Sequence, residues 1–285
     1  MRFAAFRSGD REGLAIACPD GKVHGLLSGE ESYPGNLGLL VQRGRDALDR
    51  AAVLLANGPQ IDLDQVVLLP PLSTPGKIVC VGLNYVDHSI ESGFAVPDYP
   101  TIFARFTSSL IGCGAAIIRP MVSTQLDYEG EMVAIIGVGG RRIREQDALD
   151  HVIGYSIFND ASVRDYQKKS PQWTIGKNFD GTGAFGPYLV TADELPRGAN
   201  GLHIQTRLNG AVVQDASTGD MVFNVAQLIS ILSEAITLSP GDIIVSGTPA
   251  GVGMGRNPPL FMRHGDVCEV EIEGIGTLRN NVEDE

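Results

Sequence analysis

The chain is short of cations, thiols and large aromatics. Only 22 Lys and Arg stand against 34 Asp and Glu, and its 285 residues include four cysteines and one tryptophan. Scarce basic residues exclude nucleic acid as a default partner, because phosphate binding needs clustered Lys and Arg. The formal net charge of −12 does not exclude an anionic substrate, since a metal ion can neutralise one locally. Cys18, Cys80, Cys113 and Cys268 are far apart and form no CxxC pair, so reduced, buried thiols are expected rather than zinc or a disulfide framework. No apolar run approaches the roughly 18 residues of a membrane span. MRFAAFRSGDREG lacks the apolar stretch of a secretory signal, so the expectation is a cytoplasmic protein that meets neither membrane nor nucleic acid.

Glycine and proline are plentiful, at 35 and 16 residues, and they divide the chain into short segments. RFAAF and LAIACPDGKVHGLL alternate apolar and polar positions around Pro19-Asp20-Gly21, which reads as two strands and a turn. A helix is expected over Arg45–Ala56, with Leu48, Ala51, Ala52 and Leu55 on one face and Gly58 beyond its end. The stretch from Leu69 to Gly76 carries prolines at 70, 71 and 75 and marks a boundary between a small N-terminal α+β domain (1–70) and a large domain (71–285). Beyond it KIVCVGL, AAIIRP, GEMVAIIGVG, HVIGYSIFND, HIQTRLNG, DIIVSG and VCEVEIEG are β-branched runs closed by Gly, Asn or Asp. Helical period is clear only near Asn224–Ala235, where Val225, Leu228, Ile229 and Leu232 share a stripe. The class this predicts is α+β and strand-rich.

Carboxylates inside apolar strands are the first chemical signal. In LDYEGEMVAII the strand period of two puts Glu129 and Glu131 on one face. Carboxylates roughly 6–7 Å apart on a strand entering a core repel one another and lose solvation. A divalent cation removes both penalties; a solvated strand end is the bland alternative. Asp160 ends the run YSIFND and reads either as a third ligand or as the cap of a following helix. Three carboxylates without a neighbouring Cys or His suit a hard ion such as Mg²⁺, Mn²⁺ or Ca²⁺. His88 follows VGLNY with Glu91 three residues on, so on a helical turn the glutamate can orient the imidazole as a general base. The segment Ser92–Pro100 that follows has the small and turn residues of a lid. Lys177 lies in an apolar stretch, either a snorkelling surface lysine or a cation with a buried partner. SGTPAGVG fits neither a dinucleotide loop nor a Walker A motif, and reads instead as a backbone-and-hydroxyl anion cradle.

GLNYVDHSIE, DYEGEM, NDASVRDYQ, WTIGKNFD and TLSPGDIIVSGTPAGVG, in this order, resemble the fumarylacetoacetate hydrolase family, in particular its shorter bacterial-type members, from Lys77 to about Asn281. The resemblance implies a mixed β-roll or sandwich core assembled as a homodimer. It places metal carboxylates on Glu129, Glu131 and Asp160, a His–Glu dyad on His88 and Glu91, and the active-site lysine on Lys177. It assigns substrate-holding roles to Arg164, Gln167 and Thr248. The chain departs from the family at Phe103-Ala104-Arg105, where many relatives have FxK; Arg is no geometric substitute for Lys. The implied reaction is Mg²⁺- or Mn²⁺-dependent hydrolysis of the C–C bond of a 3-acylpyruvate, such as fumarylpyruvate or maleylpyruvate, giving pyruvate and a carboxylic acid. The same metal–enolate platform also serves oxaloacetate-type decarboxylases and dienedioate isomerases or hydratases. A non-catalytic oxoacid binder and a Schiff-base lyase using Lys177 stand as alternatives of other classes.

Overall fold

The computed structural model describes residues 1–91, 93 and 95–285. Its strands form a mixed sheet of eleven, whose main path runs Val23–Leu27, Arg11–Ala17, Arg2–Ser8, Gly183–Thr191, Val152–Asp160, Gly130–Ile136, Ile243–Val245, Ile78–Gly82 and Thr101–Arg105. A five-stranded sheet joins Ala211–Ser217, His203–Leu208, Val267–Ile272, Gly276–Asp284 and Ile117–Arg119. The fold is strand-rich α+β, as expected.

The central strand Gly130–Ile136 is buried along its whole length, which is why it reads as a continuous apolar run. Its residues divide by parity between two cores. Met132, Ala134 and Ile136 pack with Ile204, Val270 and Leu278 of the five-stranded sheet and with Leu228 and Ile229 of the helix Val225–Ala235. Val133 and Ile135 face the other way, onto a cluster holding Phe3, Leu14, Leu48, Leu55, Phe158 and Phe185. The helix Arg45–Ala56 supplies Leu48 and Leu55 from the predicted face, with Ala51 buried beside them and Ala52 half-buried.

The N-terminal strands continue the large sheet: Arg2 and Phe3 pair with Val190 and Leu189. The proline-rich stretch at 69–76 interrupts secondary structure but not the core, because Leu72 sits in the same cluster as Leu48 and Val133. Among the described residues no helix is long and apolar enough to cross a membrane. In the expected lid, Ser92 and Phe94 lie outside the described residues; residues 95–100 form neither helix nor strand, and Val96 and Tyr99 are exposed.

Because the N-terminal layer shares its core with the central sheet, Leu48→Ala should destabilise the chain by about 2–5 kcal/mol while denaturant unfolding stays a single transition. An early separate transition of the N-terminal layer, leaving the central sheet intact, would contradict the shared core.

Candidate active site

Strand register brings the acids together. Gly130 pairs with Asn159 across the antiparallel ladder, which sets Glu129 opposite Asp160, and the Asp160 N–H donates to the Glu129 carbonyl at 2.8 Å. Glu131 pairs with Phe158, two residues before Asp160, so the side-chain alternation turns all three carboxylates to one face. One oxygen from each lies within 4.8 Å of one from each of the others, and all three side chains are buried.

Three cations from separate segments pack around the acids. Lys177 places Nζ 2.6 Å from Glu129 Oε2 and 2.6 Å from Asp160 Oδ2. At 2 % exposure it is among the largest fully enclosed side chains, which rules out the snorkelling surface reading. Arg164 sits 2.6 Å from Glu129 Oε1 through Nη1 and donates through Nε to Asp127 Oδ2 at 2.8 Å. Arg105 Nη1 donates to Asp160 Oδ1, while Nη2 donates to Thr182 Oγ1 at 2.7 Å and Nε to Ser109 Oγ at 3.2 Å.

The acids respond differently to this arrangement. Burial pushes Glu129 up, but Lys177 and Arg164 outweigh it and hold the carboxyl at about 2. Among the described residues no side-chain cation lies within ion-pair distance of Glu131; burial, then repulsion from Asp160 and Glu129, raises it well above the usual carboxylate range, opposed by Lys177 and by a 2.6 Å hydrogen bond from the Gly247 N–H. Burial alone would lower Lys177, yet Asp160 and Glu129 leave it above its ordinary value, so the ammonium stays charged.

The anion cradle expected at SGTPAGVG serves the protein's own carboxylates. Besides the Gly247 contact, the Thr248 hydroxyl donates to the Gly130 carbonyl at 3.0 Å and accepts from Gln214 Nε2 at 2.8 Å. Gln214 Oε1 accepts from the Gly130 N–H at 3.0 Å, so one buried amide pins the backbone between Glu129 and Glu131 to the Thr248 turn. Gly247 has φ +100°, and a Cβ there would lie 2.7 Å from Asn84 Cβ; only glycine fits.

The helix Val86–Glu91 delivers His88, which is 6 % exposed, with Nδ1 3.6 Å from Glu91 Oε2. Glu91 is anchored independently, since the Gly251 N–H donates to its two oxygens at 3.0 and 3.2 Å. Burial raises its carboxyl, but His88 and Gly251 together bring it below the usual range.

A cavity of about 650 Å³ opens over these groups, lined by His88, Glu129, Glu131, Arg164, Gln167, Lys177 and Thr248. Asp160 and Glu91 stand just behind this lining, the first covered by Lys177 and Arg105, the second against Gly251. Arg105 does not line this cavity. It is an internal counter-charge for Asp160, which answers the question its departure from FxK raises. Sequence reasoning passes over Asp127, Gln214 and Asn84. Asp127 adjoins the recognised glutamates and accepts from Arg164 and from the N–H groups of Gly253 and Met254 at 2.8 and 2.9 Å. Asn84 ties Ser246 to Phe223, with Nδ2 donating to their carbonyls at 2.7 and 3.0 Å.

A family model for the C-terminal part of fumarylacetoacetate (FAA) hydrolase matches residues 77–283. The chain belongs to this family. It is 40% identical to a mitochondrial oxaloacetate tautomerase of Xenopus laevis, over 99% of this chain and 90% of that protein. The crystallised fumarylacetoacetate hydrolase of Exiguobacterium antarcticum is 37% identical and superposes with a TM-score of 0.87 across the full length of both chains. A probable 2-hydroxyhepta-2,4-diene-1,7-dioate isomerase of Mycobacterium abscessus is 30% identical with a TM-score of 0.80, over all of this chain and 99% of the other. The family therefore houses hydrolase, isomerase and tautomerase chemistry on one fold.

The residues fit a divalent ion. Three carboxylates within 4.8 Å form an all-oxygen donor set suited to a hard cation, and the repulsion that raises Glu131 is what a divalent charge would relieve. Glu129→Gln and Asp160→Asn should each weaken Mn²⁺ binding, followed by calorimetry, by about 100-fold or more with circular dichroism unchanged. Unaltered Mn²⁺ affinity in both variants would contradict the assignment.

Proposed function

We propose that this family member is a divalent-metal-dependent enzyme that enolises 2-oxo acids, with the keto–enol tautomerisation of oxaloacetate as its reaction. One observation carries the reading: a buried three-carboxylate cation site and a histidine line or border a single cavity. The name of the Xenopus relative supports the choice of oxaloacetate.

Glu129, Glu131 and Asp160 would hold Mg²⁺ or Mn²⁺, and the ion would supply Lewis acidity toward the carboxylate and 2-oxo oxygens of a substrate. Everything else falls to the side chains. His88, with Nδ1 3.6 Å from Glu91 Oε2, moves a proton between the carbon beside the 2-oxo group and the enol oxygen. Lys177, charged and immobile, offsets the negative charge that develops as that proton leaves. Arg164 Nη2 is buried without a partner among the described residues, and a substrate oxygen would satisfy it. Gln167 Oε1 accepts from Arg164 Nη1 at 2.9 Å and fixes the direction of the guanidinium.

Hydrolysis of a 3-acylpyruvate is the second reading. Two observations favour it: the His88–Glu91 pair is suited to activating water, and 650 Å³ holds an acyl tail larger than oxaloacetate requires. The two readings separate in one experiment. Enol-to-keto conversion of oxaloacetate and pyruvate release from acetylpyruvate and fumarylpyruvate are followed with Mg²⁺, Mn²⁺ or EDTA. Metal-dependent tautomerisation faster than any cleavage is the expected outcome, with His88→Ala lowering kcat by about 10²–10⁴ while Mn²⁺ binding persists. Faster acylpyruvate cleavage would put the second reading first, and activity indifferent to EDTA or to His88→Ala would refute the mechanism.

A further inference from the structure

Around the cavity, the fixed cations are already answered by the protein's own carboxylates, with one exception. Lys177 is matched by Glu129 and Asp160, and Arg164 by Asp127 and Glu129. Lys168 is the exception. It lines the same cavity, yet among the described residues no carboxylate lies within ion-pair distance of its Nζ.

Its neighbours fix its backbone. Lys168 closes the short helix Arg164–Gln167, with its N–H donating to the Arg164 carbonyl at 3.1 Å, so its backbone is held by the same turn that carries Arg164 and Gln167. The adjacent lysine is diverted, because Lys169 Nζ lies 3.2 Å from the centre of the Tyr166 ring. Next along the chain, the Ser170 hydroxyl donates to the Gln172 carbonyl at 3.0 Å and accepts from its N–H at 3.2 Å, which ties the rim into a turn ending at Trp173. Trp173 in turn is seated on the strand Ile78–Gly82. A Cβ on Gly82 would come within 2.3 Å of its ring, and Phe103 meets that ring edge-on at 5.5 Å between centroids. The rim therefore presents one uncompensated, water-accessible cation, Lys168, over a cavity whose floor is the carboxylate triad.

We propose that Lys168 is a specificity-determining residue that reads the distal carboxylate of the substrate, so that the site selects dianionic 2-oxo acids over monoanionic ones. The inference rests on the 2-oxo acid reading above. The triad end takes the 2-oxo acid head, and the unpaired ammonium takes the second anion, at a point where an apolar tail would leave it without a partner. Nothing in this selection depends on whether the chemistry that follows is tautomerisation or C–C cleavage.

The test uses binding, not turnover, with the sole tryptophan of the chain as the reporter, since Trp173 lines the cavity. Titrations of 2-oxoglutarate and 2-oxopentanoate, which share a five-carbon chain and differ in the distal carboxylate, are followed by fluorescence in Mg²⁺. The wild-type chain should prefer 2-oxoglutarate by at least about tenfold, Lys168→Met should abolish the preference without altering 2-oxopentanoate affinity, and Lys168→Arg should restore part of it. Equal binding of the two acids by the wild type, or a preference that survives Lys168→Met, would overturn the role of Lys168 and leave the 2-oxo acid reading standing. Binding of neither acid with Mg²⁺ present would overturn both.

Discussion

Three carboxylates held within 4.8 Å of one another in a buried pocket are the constraint on which the rest of the structure depends. Left alone, such a cluster would take up protons or break apart, because each ionised oxygen loses water and repels the other two. Here the cost is met by fixed cations delivered from distant parts of the chain: Arg105 from an edge strand, Arg164 from a short helix and Lys177 from a loop. Compensation is uneven, however. Glu129 and Asp160 are paired directly and Glu131 is not, so the cluster keeps an affinity for one more positive charge.

That unevenness distinguishes a binding site from a structural ion-pair network. The turn at Gly247–Thr248 and the Gln214 amide set the backbone around Glu131 with hydrogen bonds rather than charge. The same economy holds at the rim, where the protein answers every cavity-lining cation except Lys168. In the proposed reading, floor and rim meet the two ends of a short oxo-diacid.

Much of this was legible in the sequence where local period governs. The alternation at Glu129 and Glu131, the helical stripe of Leu48, Ala51 and Leu55, and the His88–Glu91 spacing each follow from one element's geometry. What depends on pairing between distant segments was not. The strand Gly183–Thr191, GAFGPYLVT, carries two glycines and a proline and gives no β signal, yet it occupies the sheet between Val152–Asp160 and Arg2–Ser8. Gly276–Asp284 carries only Leu278 and Val282 as large apolar side chains, and the sequence reading marks no strand there, although both fill the core of the second sheet. Arg105 and Asp127 were opaque for the same reason. Their partners, Asp160 and Arg164, lie 55 and 37 residues away, a distance no local pattern spans. Proline spacing, in turn, marks a break in secondary structure at 69–76 that the shared core runs across.

In the proposed function this chain uses a divalent ion in a compensated carboxylate triad to enolise a 2-oxo acid. Exchange of the C3 hydrogens of oxaloacetate with D₂O, followed by NMR, tests it at the step common to tautomerisation and cleavage. The account predicts exchange accelerated by the protein in Mg²⁺ and returned to the spontaneous rate by EDTA. Exchange that the protein does not accelerate, or acceleration that persists in EDTA, would contradict it.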